Sequence, residues 1–140
     1  MDAGAPIDDV VVAGGNAPPA GLRIGKLRVI DGDTFEVDGE TIRIANIDTP
    51  EMAPRAKCLA EANLAEIAKG ELDGILGASW SGSGSAILPT IDRGEPDRYG
   101  RTLARVVAVS GKDVGQELVS RGVAVPWTGR RADWCGSPSE

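Results

Sequence analysis

The feature that most restricts the fold of this 140-residue chain is a run of alternating apolar and polar residues at 25–47. Alternation with a period of two is typical of strands that bury one face. Within the run, Asp38-Gly39 is a hairpin signal, because a two-residue turn needs residues that tolerate a positive φ. The run therefore predicts a meander of three antiparallel strands.

A helix and two further strands are predicted after this meander. Residues 86–91 predict a strand at a sheet edge, because Pro89 lacks an N–H group, and residues 102–109 predict another strand. Apolar residues at helical spacing predict a helix that follows Pro50 and ends at Gly70, namely Ala60, Leu64, Ile67 and Ala68.

The last predicted element is a second helix. We expect Asp113 to cap its N-terminus with Gln116 as the capping-box partner, and Gly122 to end it. Five short strands with a helix between the third and fourth are typical of a small Greek-key barrel. The predicted fold is therefore mixed β with α: a five-stranded OB-fold Greek-key barrel with two to three helices.

The ends of the chain differ in composition from this middle part. Residues 1–22 are rich in Gly, Ala, Pro and Asp and predict a flexible N-terminal tail, so the predicted domain is 23–140 with an irregular C-terminal tail. A Gly- and Ser-rich loop is predicted at 77–85. No apolar run approaches the roughly 20 residues that span a bilayer, which excludes a membrane-spanning helix. The first residues are acidic and do not resemble a signal peptide.

Charge and histidine content restrict the chemistry. The formal net charge of −6 counts against a nucleic-acid binder, but residues 97–131 hold seven basic and three acidic side chains, which is compatible with a locally basic face. The chain has no histidine, which excludes histidine triads, an imidazole general base and the common zinc sites. Any reaction must therefore use carboxylates, guanidiniums, hydroxyls or the two cysteines.

Two acidic clusters flank the predicted hairpin. Asp31 and Asp33 surround a glycine turn, and Asp48, Thr49 and Glu51 follow the third strand. If the second and third strands pair, both clusters lie at one end of the barrel, where converging carboxylates would bind a hard divalent cation such as calcium. Two interpretations are open, because each cluster alone is also typical of an ordinary turn or helix entry.

Three arginines accompany the acidic clusters. Arg43 lies in an apolar strand but points away from its apolar neighbours by alternation, and Arg98 and Arg101 flank Tyr99 just before a predicted strand. Arginine binds phosphate through two parallel hydrogen bonds and keeps its charge. Each arginine alone is more typical of a solvated surface charge. With the carboxylates, however, they complete the groups needed for phosphodiester hydrolysis.

These motifs, in this order, resemble the thermonuclease (staphylococcal or micrococcal nuclease-like) family over residues 25–127. The resemblance implies an OB fold and a calcium-dependent nuclease that cleaves DNA or RNA with little sequence specificity. The matching segments are Ile30-Asp31-Gly32-Asp33-Thr34, Arg43, Asp48-Thr49-Pro50-Glu51, Asp97-Arg98-Tyr99-Gly100-Arg101 and the helix at 113–124.

The resemblance also implies a metal site and a general base. The side chains of Asp33 and Asp48 and the carbonyl oxygen of Thr49 would bind Ca²⁺. Asp31 would support these ligands without binding the ion. Glu51 would activate the attacking water, or at least position it.

Further matching positions imply substrate contacts. Arg43 and Arg101 would hold the scissile phosphate and stabilise the charge that develops on it. Arg98 and Tyr99 would contact a terminal phosphate or sugar. Trp127 falls where the family places aromatic residues that line the nucleotide pocket. The implied partner is therefore DNA or RNA, and the implied state is a monomer.

Cys58 and Cys135 form no CxxC motif, so a zinc or redox motif is not expected. From the residues alone, a disulfide and two free thiols are both open. The ending Trp134-Cys135 resembles a branch of the family that ends in Trp-Cys, which implies that Cys58 and Cys135 pair. A disulfide favours a secreted or periplasmic protein, and free thiols favour the cytoplasm.

A noncatalytic binding module of the same family is the alternative function. Such a module would be expected to lack at least one of the five acidic or arginine residues, and all five are present: Asp33, Arg43, Asp48, Glu51 and Arg101. A module that binds single strands on its barrel face would need exposed aromatic residues on the strands, and only Phe35 lies on a predicted strand. We therefore expect an enzyme.

Overall fold

A computed structural model describes residues 23–77 and 85–136. The predicted tail at 1–22 and most of the predicted Gly-Ser loop, 78–84, lie outside the described residues. The elements in this part of the chain are β1 (Ile24–Asp31), β2 (Thr34–Val37), β3 (Glu40–Ile44), β4 (Ile47–Asp48), α1 (Leu59–Leu76), β5 (Ser85–Ile87), β6 (Thr90–Pro96), β7 (Thr102–Val107), α2 (Val114–Ser120) and β8 (Val125–Pro126).

The predicted meander is confirmed. β2 pairs antiparallel with both β1 and β3. The turn between β2 and β3 has positive φ angles at Asp38 (49°) and Gly39 (89°), as a type I′ hairpin turn requires. Alternation then places Leu27, Phe35 and Ile42 in the core, where each is fully buried. The residues that alternate with these, including Arg43, point to the opposite face of the sheet.

The sheet has more strands than predicted. Its order is β5-β1-β2-β3-β7-β6, with β3 and β7 parallel and the other pairs antiparallel, and β4 pairs separately with β8. The mixed β and α class is observed, with two helices among the described residues. The predicted five-stranded barrel is not confirmed, because the sheet has six strands and no pairing joins its ends, β5 and β6, within the described residues.

Strand boundaries after α1 also differ from the prediction. The single strand predicted at 86–91 is wrong: β5 ends at Ile87 and β6 begins at Thr90. Pro89 lies between them and cannot donate to a ladder, so the chain breaks its pairing there. β7 ends at Val107, two residues earlier than predicted, because Gly111 (φ 93°) donates its N–H to Ala108 O and closes a turn.

Helix α1 is longer than predicted. Gly70 does not end it, and the helix continues to Gly77, which adopts the left-handed conformation (φ 69°). The two added turns bury Leu72 and Leu76 against the core. Burying a leucine contributes about 1.5–3 kcal/mol, which exceeds the roughly 1 kcal/mol that a helical glycine costs. The buried face of α1 also differs from the predicted one. It includes Ala65 and Ala68, whereas Ile67, which was predicted to be buried, is 54% exposed.

Helix α2 begins and ends as predicted. Asp113 accepts a hydrogen bond from the backbone N–H of Gln116 at 2.9 Å. At the other end Gly122 has φ 80°, and Val123 N–H donates to Leu118 O at 3.2 Å, as in a Schellman motif. Among the described residues, neither helix is long and apolar enough to cross a membrane.

Candidate active site

A cleft of about 810 Å³ opens beside the end of β3. Its walls come from the β1–β2 turn, β3, the segment after β4, the loop between β6 and β7, and the chain after β8. Nine of the predicted site residues line it: Asp31, Asp33, Arg43, Thr49, Glu51, Arg98, Tyr99, Arg101 and Trp127. Asp48, the remaining one apart from the cysteines, is 1% exposed and precedes Thr49 directly.

Arg43 is fixed at the end of β3. It pairs with Thr34 of β2, next to Asp33, and its Nη2 lies 3.3 Å from Asp33 Oδ2. Its Nη1 donates to the carbonyl oxygens of Ile44 and Ile47. The side chain is only 10% exposed. Arg43 is therefore a buried guanidinium held by one carboxylate and two carbonyl oxygens, and not a solvated surface charge.

The Asp31-to-Asp33 turn packs closely against the second acidic segment. A Cβ atom at Gly32 would lie 2.8 Å from the Cβ of Ala68 and 3.2 Å from the Cβ of Thr49, so only glycine allows this approach. The N–H of Asp33 donates to Asp31 Oδ1 at 3.2 Å. Burial and the neighbouring Asp33 carboxylate raise the pKa of Asp31 to about 7. The two acidic segments thus meet, as the pairing of β2 and β3 predicts.

Arg131 contacts the second acidic segment from the C-terminal part of the chain. Its Nη1 lies 3.1 Å from Asp48 Oδ1 and 2.9 Å from Glu51 Oε2. Its Nη2 donates to Thr49 O at 3.2 Å. The other oxygen of Asp48, Oδ2, accepts the N–H of Ala132 at 2.8 Å. One guanidinium therefore binds three groups that the sequence assigns to the metal ion or to the general base.

Glu61 holds the backbone that carries Glu51. This glutamate is buried near the start of α1, and its two oxygens accept the N–H groups of Glu51 (2.8 Å) and Lys57 (2.9 Å). Cys58 caps the same helix, since its Sγ accepts the N–H of Glu61 at 3.4 Å. The start of α1 thereby fixes the position of Glu51.

The loop between β6 and β7 places a second arginine at the cleft. Arg101 Nε lies 2.7 Å from Asp97 Oδ2, and Asp97 Oδ1 accepts the N–H groups of Tyr99 and Arg101 at 2.9 Å each. Burial alone would raise the pKa of Asp97, but these hydrogen bonds lower it below its ordinary value. Gly100, with φ 85°, supplies the left-handed residue that the loop needs.

The aromatic residues of the cleft lie beside guanidiniums. The Cζ atoms of Arg98 and Arg101 are 5.1 and 5.5 Å from the centre of the Tyr99 ring, which is 69% exposed. Arg43 Cζ is 5.8 Å from the centre of the Trp127 ring. All three distances are within the range of cation–π attraction. Each ring of the cleft therefore lies beside at least one guanidinium.

A disulfide joins Cys58, at the start of α1, to Cys135 near the end of the described chain. Of the two states that the sequence leaves open, the structure has the bonded one. The bond lies next to Glu61 and four residues after Arg131. It therefore attaches the chain segment that carries Arg131 to the helix that positions Glu51.

Three residues of the predicted site carry oxygen atoms of the type that bind hard divalent cations. Asp33, Asp48 and the carbonyl of Thr49 offer the carboxylate and carbonyl oxygens that calcium prefers. In the described ranges, 23–77 and 85–136, no three or more Asp, Glu, His or Cys side chains form a metal cage. The predicted set has only two carboxylates and relies on a backbone carbonyl. The oxygens of Asp48 and Thr49 already face a positive charge, that of Arg131.

Two residues of the site, Glu61 and Arg131, were not predicted from the sequence. Glu61 has a weak local signal, because it stands three residues after the N-cap Cys58, where a capping glutamate is expected. Arg131 belongs to the basic excess at 97–131, but no spacing connects it to Asp48 or Thr49. Its contact with Thr49 spans 82 residues of sequence.

Comparison with known proteins finds relatives of this chain. Residues 41–133 match the family described as staphylococcal nuclease homologue. Succinoglycan biosynthesis protein ExoI of Rhizobium meliloti is 35% identical over 107 residues, which are 73% of this chain and 51% of ExoI. Endonuclease YhcR of Bacillus subtilis is 34% identical over 102 residues, which are 69% of this chain and 8% of YhcR.

The chain thus spans about half the length of one curated relative and a small part of the other. The matched range contains Arg43, Asp48, Glu51 and Arg101, and it ends beyond Arg131. The family match agrees with the motifs read from the sequence and with the cleft that they form. The chain belongs to the family of staphylococcal nuclease homologues.

Proposed function

We propose that this protein is a calcium-dependent nuclease that hydrolyses phosphodiester bonds of DNA or RNA with little sequence specificity. The observation that carries the proposal is the cleft itself, which brings the carboxylates of Asp33 and Glu51 beside the guanidiniums of Arg43 and Arg101. Membership of the nuclease-homologue family and a relative named as an endonuclease support it.

Glu51 is proposed as the general base. The chain has no histidine, so a carboxylate must accept the proton of the attacking water. Glu61 fixes the backbone N–H of Glu51, which restricts where its carboxylate can reach. A base held in this way needs little reorganisation when the substrate binds.

Asp33, Asp48 and the carbonyl of Thr49 would hold the calcium ion, and Asp31 would support them. When bound, the ion supplies positive charge that lowers the cost of placing a phosphodiester anion beside several carboxylates. The pKa of Asp31 is raised first by its burial and second by the neighbouring Asp33 carboxylate, as expected in a buried acidic cluster.

Arg43 and Arg101 are proposed to bind the scissile phosphate. Arg43 is locked by Asp33 and two carbonyl oxygens, so it presents a fixed charge to the cleft. Arg101 is held through Nε by Asp97, which leaves its two terminal nitrogens for a phosphate. Both would stabilise the negative charge that develops on the phosphate oxygens.

Arg98, Tyr99 and Trp127 are proposed to contact the rest of the nucleotide. The exposed Tyr99 ring between two guanidiniums suits a terminal phosphate or sugar, and Trp127 suits stacking on a base. Stacking on an aromatic residue contributes about 1–3 kcal/mol per base. The disulfide supports an oxidising compartment, and we propose that the protein acts there as a monomer.

The test is a cleavage assay on single-stranded DNA, duplex DNA and RNA, each with calcium and with a chelator. The proposal predicts cleavage of at least one substrate with calcium and none with the chelator, and product lengths will distinguish internal from terminal cutting. Folded protein that binds these substrates without cutting any of them would contradict the proposal and establish the noncatalytic binding module instead.

A further inference from the structure

The guanidinium of Arg131 lies where the proposed cation would meet its oxygens. It is within 3.2 Å of Asp48 Oδ1, Thr49 O and Glu51 Oε2. Ala132 N–H occupies the second oxygen of Asp48. Asp48 Oδ2 is thus hydrogen-bonded, whereas the buried Oδ1 makes no hydrogen bond and has only its ion-pair contact with Arg131 among the described residues.

The segment that carries Arg131 is attached at both ends, and we name residues 127–135 the C-terminal strap. At its start, Trp127 N–H donates to Asn46 O at 3.0 Å, directly after β8 pairs with β4. At its end, Cys135 is bonded to Cys58 of α1. The strap therefore crosses the acidic segment after β4 and holds Arg131 beside it.

We propose that Arg131 is an intramolecular counter-cation that competes with the divalent ion for Asp48, Thr49 and Glu51, and so sets the calcium affinity of the site. The inference rests on the proposed calcium dependence. A guanidinium and a divalent ion that share these oxygens repel each other, so the ion binds only when Arg131 moves away. The Arg131 side chain is 41% exposed, which leaves it a path into solvent.

Displacement of Arg131 also changes the proposed base. Without the ion, the carboxylate of Glu51 is held by the guanidiniums of Arg131 at 2.9 Å and Arg55 at 3.4 Å. When Arg131 leaves, the carboxylate of Glu51 loses one of these partners and can turn to water. Ion binding and release of the base are then one coupled event.

The experiment is calcium titration by isothermal calorimetry, without substrate, on the wild-type protein and on Arg131→Gln. Glutamine keeps a planar hydrogen-bonding group and removes the charge. We expect Arg131→Gln to bind calcium at least about fivefold more tightly, because the substitution removes the competing ion pairs with Asp48 and Glu51. Arg130→Gln is the matched control, because Arg130 is exposed, adjacent and forms no ion pair with the described residues. It should stay within about twofold of wild type.

Three other outcomes would overturn the inference, each with a different consequence. Equal affinity in Arg131→Gln and wild type would remove the competition but leave calcium dependence standing. Weaker binding in Arg131→Gln would make Arg131 a structural support of the site. No calcium binding by either protein would remove both the competition and the proposed metal. Arg131→Lys, which keeps the charge but lacks the two-nitrogen fork, should bind calcium less tightly than Arg131→Gln, and melting temperatures without calcium will show that each variant is folded.

Discussion

Gly32 is the residue whose size most directly controls the shape of the cleft. A side chain there would meet the Cβ atoms of Ala68 and Thr49 at 2.8 and 3.2 Å. Gly32→Ala should therefore push the Asp31-to-Asp33 turn away from Thr49 and lower the free energy of unfolding by about 1–3 kcal/mol. Urea unfolding measures this change.

Gly70→Ala is the matched control for Gly32→Ala. Nothing lies within 4 Å of a Cβ atom at Gly70, which is in the interior of α1. Alanine there should stabilise the protein by about 0.5–1 kcal/mol, because glycine is the poorer helix former. Equal effects of the two substitutions would show that the lack of space beside Thr49 is not what requires glycine at position 32.

Asp97 holds Arg101, and the contribution of this carboxylate to stability depends on pH. Hydrogen bonds from Arg101 and Tyr99 lower its pKa below the ordinary value of 3.8. The ionised form is thus favoured in the folded state, and its contribution to stability is present above pH 3.8 and is lost as the pH falls through the lowered pKa. Asp97→Asn should therefore lose less stability than wild type between pH 5 and pH 3, as measured by thermal unfolding.

Asp92→Asn controls for the removal of a negative charge, because Asp92 lies on the exposed β6. It should follow the wild-type pH profile. If Asp97→Asn followed it equally well, the hydrogen bonds around Asp97 would not stabilise its ionised form. At neutral pH, Asp97→Asn should also reduce cleavage, because Arg101 loses the carboxylate that holds its Nε.

At the scale of elements, local chemistry made the meander and the second helix predictable. The Asp38-Gly39 turn and the Asp113 cap act within a few residues, and both are observed as the sequence indicates. The length of α1 was not predictable in this way. Gly70 is a local stop signal, but burial of Leu72 and Leu76 against the sheet overrides it.

The disulfide is the element-scale link with the largest expected effect on stability. It closes a loop of 77 residues between the start of α1 and the C-terminal strap. In the chain-entropy treatment such a loop contributes about 4.5 kcal/mol. Replacing both cysteines with serine should lower the free energy of unfolding by an amount of this order. Urea unfolding of the oxidised wild type, the reduced wild type and the double variant measures it.

Reduced wild type and the double serine variant should agree, since both lack the bond. A difference between them would assign part of the effect to the serine side chains, for example at the N-cap of α1. If all three proteins unfolded at the same urea concentration, the disulfide would not stabilise the fold.

At the scale of the whole molecule, most of the site was predictable because its residues belong to short motifs. Asp31, Asp33, Arg43 and Glu51 lie on or beside strands of the predicted meander, so their meeting follows from its pairing. Arg101 reaches the cleft through the parallel pairing of β3 with β7, which the sequence did not indicate. Arg131 could not be predicted, because its place depends on how the C-terminal strap returns over the site. The net charge of −6 likewise does not predict a cleft that contains several guanidiniums.

The most direct test of the nuclease proposal is the cleavage rate of Glu51→Gln with calcium at saturating substrate, compared with wild type. Glu66→Gln, on the exposed side of α1, is the matched control. If Glu51 is the general base, Glu51→Gln should lose at least about 10²-fold in rate while it melts near the wild-type temperature, and Glu66→Gln should cleave at the wild-type rate. Cleavage by folded Glu51→Gln at a rate near wild type would contradict the assignment of the base.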